Sequence, residues 1–255
     1  MKNLSGNMKA FEIINPTTSS ANFCELCALA VMTKAPEPGQ VKTRLSPPLT
    51  PHEAAELNKC FLVDTGSAIS RATKTSPACG VAVYTPPDAA SVYVDILPTE
   101  FILLPQRGES FGERLYFAAT DLFKCGFASV CLIDSDSPTV SAETFATAAR
   151  RLNVDCDTVV LGPCEDGGYY LIGINKPHRE LFERIDWSTE RVLAQTMQRA
   201  SEIGIKVKLL PQGYDVDDRA ALRRLCVELL EQPTSELVAP NTRRILARII
   251  AHKNL

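Results

Sequence analysis

The sequence predicts an α/β fold: a single mixed, mostly parallel sheet with helices on both faces. Three observations carry that reading. Short apolar runs of buried-strand length recur along the chain. Segments with apolar residues at helical spacing lie between them. Capping and stop signals separate the two kinds of segment, and such alternation marks a mainly parallel sheet covered on both sides.

In chain order, residues 1–22 are polar and rich in Asn, Ser and Thr, and read as a flexible leader. The run Ala28 to Met32 is the first strand; Pro36, Pro38 and Gly39 stop it and shape a loop. Thr50-Pro51-His52-Glu53 is a capping box with proline at the first helical position. The helix it opens carries Leu57, Phe61, Leu62 and Ile69 on its apolar face, with Asp64 expected to be exposed. Gly80 to Tyr84 and Phe101 to Pro105 are the next strands, with a short helix near Ala89 to Tyr93 between them. A helix ending at Lys124 before Gly126 leads to the strand Ser129 to Ile133. A helix over 142–152, strands over 158–162 and 169–174, a helix over 188–203 and a strand over 206–210 follow. The chain closes with a helix from about Arg219 to Leu230, a linker from Pro233 to Pro240, and a short basic helix over 243–252. One domain is expected over 23–232, with 233–255 as linker and helix packed on or beside it.

Bulk properties exclude several classes of function. A net charge of −3 over 255 residues argues against a general nucleic-acid binder. No apolar run approaches membrane-spanning length, and no signal-peptide core precedes Phe23, so a cytoplasmic protein is expected. The nine cysteines are scattered, with Cys24 and Cys27 the one CxxC pair and no second pair at zinc spacing, so packing is their expected role.

Chemistry gathers in the loops after strands, where ligands of open α/β sheets bind. Lys34, Lys42 and Arg44 leave the first strand together and read as a grip on phosphates; a solvated basic loop is the alternative. Acidic clusters follow three later strands: Asp134/Asp136, Glu165/Asp166 and Asp215/Asp217/Asp218. Carboxylates beside phosphates hold Mg²⁺, although turn and cap roles suit Asp217 and Asp218 as well. Asp166-Gly167-Gly168-Tyr169 reads equally as a tight turn and as a close approach for substrate. The phosphate-loop and GxGxxG patterns are missing, and three scattered histidines argue against a His-based metal site.

Six segments occur in an order that resembles a known family: KAPEPGQVKTRL (34–45), QRGESFGERL (106–115), DSDSP (134–138), GPCEDGGYYLIG (162–173), WSTERVLAQT (187–196) and DVDD (215–218). They are similar to GT-A-type transferases of the nucleotide-diphospho-sugar transferase superfamily, in the branch of radical-SAM/selenodomain-associated transferases, some labelled arsenosugar-biosynthesis glycosyltransferases. Guanylyltransferases of cofactor biosynthesis are a more distant likeness. The resemblance implies a nucleotide over the first strand's loop, on Lys34, Gly39, Lys42, Thr43 and Arg44. It implies Mg²⁺ (or Mn²⁺) on Asp136 and Asp217, with Asp134 accessory because relatives commonly have glycine there. Asp218 stands where relatives commonly have threonine. Asp136, Asp166 and Lys42 are the expected catalytic residues, and Asp166, Gly167, Gly168 and Tyr169 the acceptor site.

The function expected is a Mg²⁺-dependent transferase acting on a small acceptor, with no nucleic-acid or membrane partner. Nucleotidyl transfer from a nucleoside triphosphate is slightly favoured, because three cations suit a triphosphate. Glycosyl transfer from a nucleotide sugar is the alternative, and a non-catalytic nucleotide-binding protein the third reading.

Overall fold

Eight strands build one sheet in the order β1-β4-β3-β2-β5-β7-β6-β8 in the computed structural model, which describes residues 11–18, 23–154, 157–232 and 238–253. The strands are β1 (Glu12–Ile13), β2 (Cys27–Lys34), β3 (Ala78–Thr85), β4 (Ile102–Pro105), β5 (Ser129–Ile133), β6 (Thr158–Pro163), β7 (Tyr169–Ile174) and β8 (Lys206–Leu209). Every pairing is parallel except those of β7, which runs antiparallel between β5 and β6. The helices are α1 (Pro51–Thr73), α2 (Phe111–Lys124), α3 (Ala142–Val154), α4 (Val192–Glu202), α5 (Arg219–Cys226) and α6 (Pro240–Lys253). The predicted class is found, and the predicted strands follow one another in the expected order after β1, which the sequence analysis does not contain.

The central strands are apolar throughout because both faces are covered. One face packs on α1 and α3 through Leu29, Val31, Leu62, Ile69, Phe145 and Ala149. The other packs on α2 and α4 through Ala30, Val83, Leu115, Leu122 and Ala200. A third cluster, with Leu45, Leu57, Phe61, Leu225 and Ile249, joins α1 to α5 and α6. No described helix is long and apolar enough to cross a membrane.

Local signals account for several boundaries. The capping box at α1 forms as predicted: Thr50 Oγ1 accepts from Glu53 N at 3.2 Å, and Glu53 Oε2 accepts from Thr50 N at 2.7 Å. The short helix before β4 is a 3-10 turn, Ala90–Tyr93. The helix predicted from Ser188 begins only at Val192. Ser188 adopts φ +64°, outside helical space, and Thr189 turns its hydroxyl onto the Asp186 carbonyl at 2.7 Å. Beyond Cys226 the predicted last turns of α5 form a π-turn, Val227–Glu231.

Three expectations are corrected. The leader is structured where it is described: Glu12–Ile13 pairs parallel with β4, and Ile14 is buried against it. An apolar Ile at an open sheet edge has a ladder and a core to join, and residues 1–10 and 19–22 lie outside the described residues. Asp64 is buried at 3% exposure; its carboxylate accepts from Asn241 N (3.1 Å), Asn241 Nδ2 (2.8 Å) and Thr242 N (2.8 Å), capping α6 from α1. Of the predicted linker, residues 233–237 lie outside the described residues, as does Cys156. Packing, the role expected of the cysteines, does not describe Cys24, which is exposed, while Cys27 is buried in β2, so the CxxC pair is split between surface and core.

Candidate active site

Strand order reverses at β2, with β3 on one side and β5 on the other, so the loops after β2 and β5 meet at a topological switch point. The loop after β2 is held by its own first cation. Lys34 Nζ donates to the Gln40 carbonyl (3.3 Å) and to Gln40 Oε1 (3.1 Å). Gly39 turns the loop at φ +75°, and Lys42 then takes φ +49°, ψ +38°, a left-handed conformation costly for a residue with a Cβ. The following residues, Thr43–Leu45, wind into a 3-10 turn that buries Leu45.

That backbone turns Lys42 inward. Its side chain is 3% exposed, with Nζ 2.7 Å from Asp136 Oδ1 and 2.8 Å from Asp217 Oδ1, and donating to the Val216 carbonyl at 2.9 Å. The Phe61 ring lies 5.5 Å from the ammonium. Burial works against the Lys42 charge, but the two carboxylates outweigh it and raise its pKa. Thr43 and Arg44 stay exposed, and Arg44 has no hydrogen-bond or ion-pair partner among the described residues.

The loop after β5 is shaped by Asp134. Its amide continues the β7 ladder by donating to the Tyr170 carbonyl at 2.9 Å. Its carboxyl accepts from Asp136 N (3.3 Å) and Ser137 Oγ (2.8 Å), closing an Asx-type turn that presents Asp136. Burial, reinforced by the neighbouring Asp136 charge, pushes Asp134 well above the usual carboxylate range. Asp136 is partly exposed (31%) and Asp217 more so (44%). Each has a second oxygen, Oδ2, without a hydrogen-bond partner among the described residues.

The three acidic loops are stitched together by backbone. Val216 N donates to the Asp136 carbonyl (3.0 Å), Glu165 N to the Gly213 carbonyl (3.1 Å), and Gly213 N to the Pro163 carbonyl (2.8 Å). Asp217 and Asp218 then part ways: Asp217 meets Lys42, while Asp218 Oδ1 accepts from Ala221 N at 2.8 Å and caps α5. Asp215 faces Asp166 and Cys164, their ligand atoms within 4.8 Å of one another. Burial first, then the Asp166 and Asp217 charges, push the Asp215 carboxyl up to about 6.

The paired glycines form the turn of the β6–β7 hairpin. Cys164 N donates to the Gly168 carbonyl (3.0 Å), Gly167 N to the Cys164 carbonyl (3.2 Å), and Gly168 N to Asp166 Oδ1 (2.8 Å). Gly167 sits at φ +87°, and a Cβ there would stand 2.1 Å from the Glu190 carbonyl oxygen. The close approach it allows is that of the chain's own backbone.

These loops border a cleft of about 800 Å³. Asp134, Asp136, Asp166, Asp215 and Asp217 line it together with Arg44 and Gly168. Phe111, Tyr169 and Trp187 form an aromatic corner of the lining, Trp187 meeting Phe111 edge-on at 5.2 Å and Tyr169 at 6.5 Å between ring centroids. Of the predicted nucleotide residues only Arg44 lines the cleft; Lys42 lies beneath it, and Lys34, Gly39 and Thr43 stand outside the lining. Phe111 and Trp187 line the cleft with no role assigned from the sequence, and Asp215, which the sequence places in an acidic cluster, has none of its own there. The Asp-Val-Asp alternation of 215–217 was a usable signal for Asp215, since alternate residues of an extended segment share a side.

Asp136 and Asp217 suit a divalent cation on the chemistry of their donors. Both offer hard oxygen ligands, both already converge on one cationic centre, and both keep an oxygen to spare.

Comparisons with known proteins agree with this fold. A solved structure from Desulfovibrio desulfuricans G20, described as a "putative nucleotide-diphospho-sugar transferase", superposes with a TM-score of 0.78. It is 29% identical, over 89% of this chain and 96% of that one. The chain has the nucleotide-diphospho-sugar transferase fold. CMP:2-keto-3-deoxy-manno-octonic acid synthetase complexed with CTP shares the fold at 12% identity and TM-score 0.51, over 88% of this chain and 99% of that one. A cytidylyltransferase from Leptospira borgpetersenii does so at 7% identity and TM-score 0.51, over 89% and 95%. The family model described as "Uncharacterized protein conserved in bacteria (DUF2064)" matches residues 69–189. No curated protein matches the chain.

Proposed function

We propose that this chain is a transferase that uses a nucleotide substrate and a divalent cation, and that it moves a glycosyl group from a nucleotide-sugar donor. The observation that carries the reading is the convergence of Asp136 and Asp217 at the switch point, beside a cleft that one unpaired loop cation, Arg44, lines. A triphosphate calls for more positive charge, such as three free loop cations would supply. Lys42 is bound to carboxylates and Lys34 to Gln40, which leaves one, and a sugar diphosphate asks for less positive charge. The fold shared with a described nucleotide-diphospho-sugar transferase at 29% identity supports the same choice.

In this reading Arg44 supplies a guanidinium fork to the diphosphate. Asp136 and Asp217 would hold Mg²⁺ or Mn²⁺, which offsets charge on the departing diphosphate. Asp166 accepts a hydrogen bond from the acceptor hydroxyl and orients it, and the Phe111–Trp187 corner covers a ring of the sugar.

A panel of nucleoside triphosphates and nucleotide sugars, with and without Mg²⁺, tests the reading by thermal shift and product analysis. A nucleotide sugar with Mg²⁺ is expected to stabilise the protein, by about 2.7 kcal/mol at 100 times its Kd, and to release a nucleoside diphosphate as water, standing in for the acceptor hydroxyl, takes the glycosyl group. Response to a triphosphate and to no nucleotide sugar, with pyrophosphate released as water takes the nucleotidyl group, moves the assignment to nucleotidyl transfer. Metal-independent binding without turnover identifies a non-catalytic nucleotide binder, and no response to any nucleotide overturns the proposal.

A further inference from the structure

We propose that Lys42 is the resident cation of the Asp136–Asp217 pair and sets the order of binding, keeping the pair from holding a divalent cation until a nucleotide's phosphates arrive with it. The inference rests on the assignment of Asp136 and Asp217 as metal ligands in the preceding section.

Lys42 departs from a phosphate-gripping lysine in three ways. Lys42 donates to Asp217 Oδ1 and the Val216 carbonyl, and its ammonium pairs with Asp136 Oδ1 at 2.7 Å. Three protein oxygens therefore crowd an ammonium that has three N–H donors. The side chain is 3% exposed beneath the cleft, with the Phe61 ring beside it, whereas Arg44 two residues later lines the cleft. The backbone at Lys42 is left-handed, and a residue with a Cβ held there is over-determined by its surroundings. Here the surroundings are two carboxylates and a carbonyl from the loops after β5 and β8.

Two consequences follow for a divalent ion. The ammonium holds Oδ1 of both carboxylates, so the pair stays aligned while each Oδ2 remains available. It also leaves the trio one net negative charge. A unit charge a few ångströms away acts strongly in a partly buried site, so the ammonium weakens the pair's attraction for a second cation. Phosphate oxygens restore the missing negative charge, and the metal binds tightly only with them.

The test is direct binding of Mn²⁺ alone, read from the electron paramagnetic resonance signal of the free ion, in wild type, Lys42→Met and Lys42→Arg. Lys42→Met is expected to bind Mn²⁺ at least about tenfold more tightly than wild type, and Lys42→Arg to stay near wild type. Mn²⁺ alone should raise the melting temperature of Lys42→Met and Lys42→Gln, taking the ammonium's place, and barely move wild type. Mn²⁺ affinity in Lys42→Met equal to or weaker than wild type overturns the proposal, as does failure of Mn²⁺ to restore both neutral variants if they are destabilised. Adding Asp136→Asn to Lys42→Met separates the two ideas. Loss of the tight site supports both, and its persistence shows that the metal sits elsewhere and overturns the ligand assignment itself.

Discussion

Asp134 and Asp136 stand two positions apart in one loop, and their surroundings give them different work. Asp134 is engaged within the turn and pushed toward its neutral form by burial, while Asp136 is partly open and faces a cation. A carboxyl whose folded pKa is raised stabilises the fold at low pH, below its unfolded value near 4, and that contribution is lost as pH rises through the folded value. Asn at 134 keeps an acceptor and cannot ionise, so the stability of Asp134→Asn relative to wild type should increase with pH, and metal-dependent nucleotide binding should change by no more than about threefold. Asp136→Asn should weaken that binding by at least about tenfold, because a charged partner of the cation is removed. Urea unfolding across pH and nucleotide titration with Mg²⁺ in both variants check this. Equal, severe loss at both positions would sink the division of roles. Which residue meets Asp136 was not legible in the sequence. Lys42 and Arg44 are cations two apart in one loop, and the choice between them is made by the left-handed backbone at Lys42, which no residue pattern there announces.

At the level of elements, the sequence is most legible where signals are local. The capping box at Thr50 and the apolar runs of β5 and β7 appear where their residues place them, because capping bonds and strand burial are written in neighbouring positions. The SxxE box at Ser110 was there to be read too, and it opens α2. Long-range partners are where reading by pattern stops. Asp64 looks like any polar residue on the outer face of a helix, yet it caps α6 across 178 positions of sequence. Its carboxylate gathers three N–H donors at the positive end of a helix, and removing it strands those donors in a buried place. Asp64→Ala is therefore expected to cost about 2–4 kcal/mol in urea unfolding, with Asp64→Asn losing less because an amide oxygen still accepts. An effect under about 0.5 kcal/mol would show that α6 is held by its apolar face alone.

Across the whole molecule, stability and chemistry are drawn from opposite ends of the sheet. The acidic loops and the cleft belong to β2, β5, β6 and β8, whereas β1 closes the far edge and is separated from β5 by β4, β3 and β2. At that edge Ile14 N donates to the Leu103 carbonyl at 2.9 Å, Ile14 is buried with Ile102 and Leu104, and Phe11 packs on the opposite layer. Burying one Ile side chain is worth about 1.5–3 kcal/mol, and the partly buried Phe11 adds to it. A variant lacking residues 1–18 should therefore lose about 2–4 kcal/mol of stability, with Ile14→Ala alone accounting for a large part. It should also self-associate, because β4 would present an unpaired apolar edge. Nucleotide affinity should stay within about twofold, since distant sites without shared partners act independently. Urea unfolding, sedimentation and nucleotide titration on the same variant separate these expectations. Unchanged stability would show that the edge strand contributes nothing to the fold, and a sharp fall in affinity at full stability would place the N-terminal segment in the service of the site.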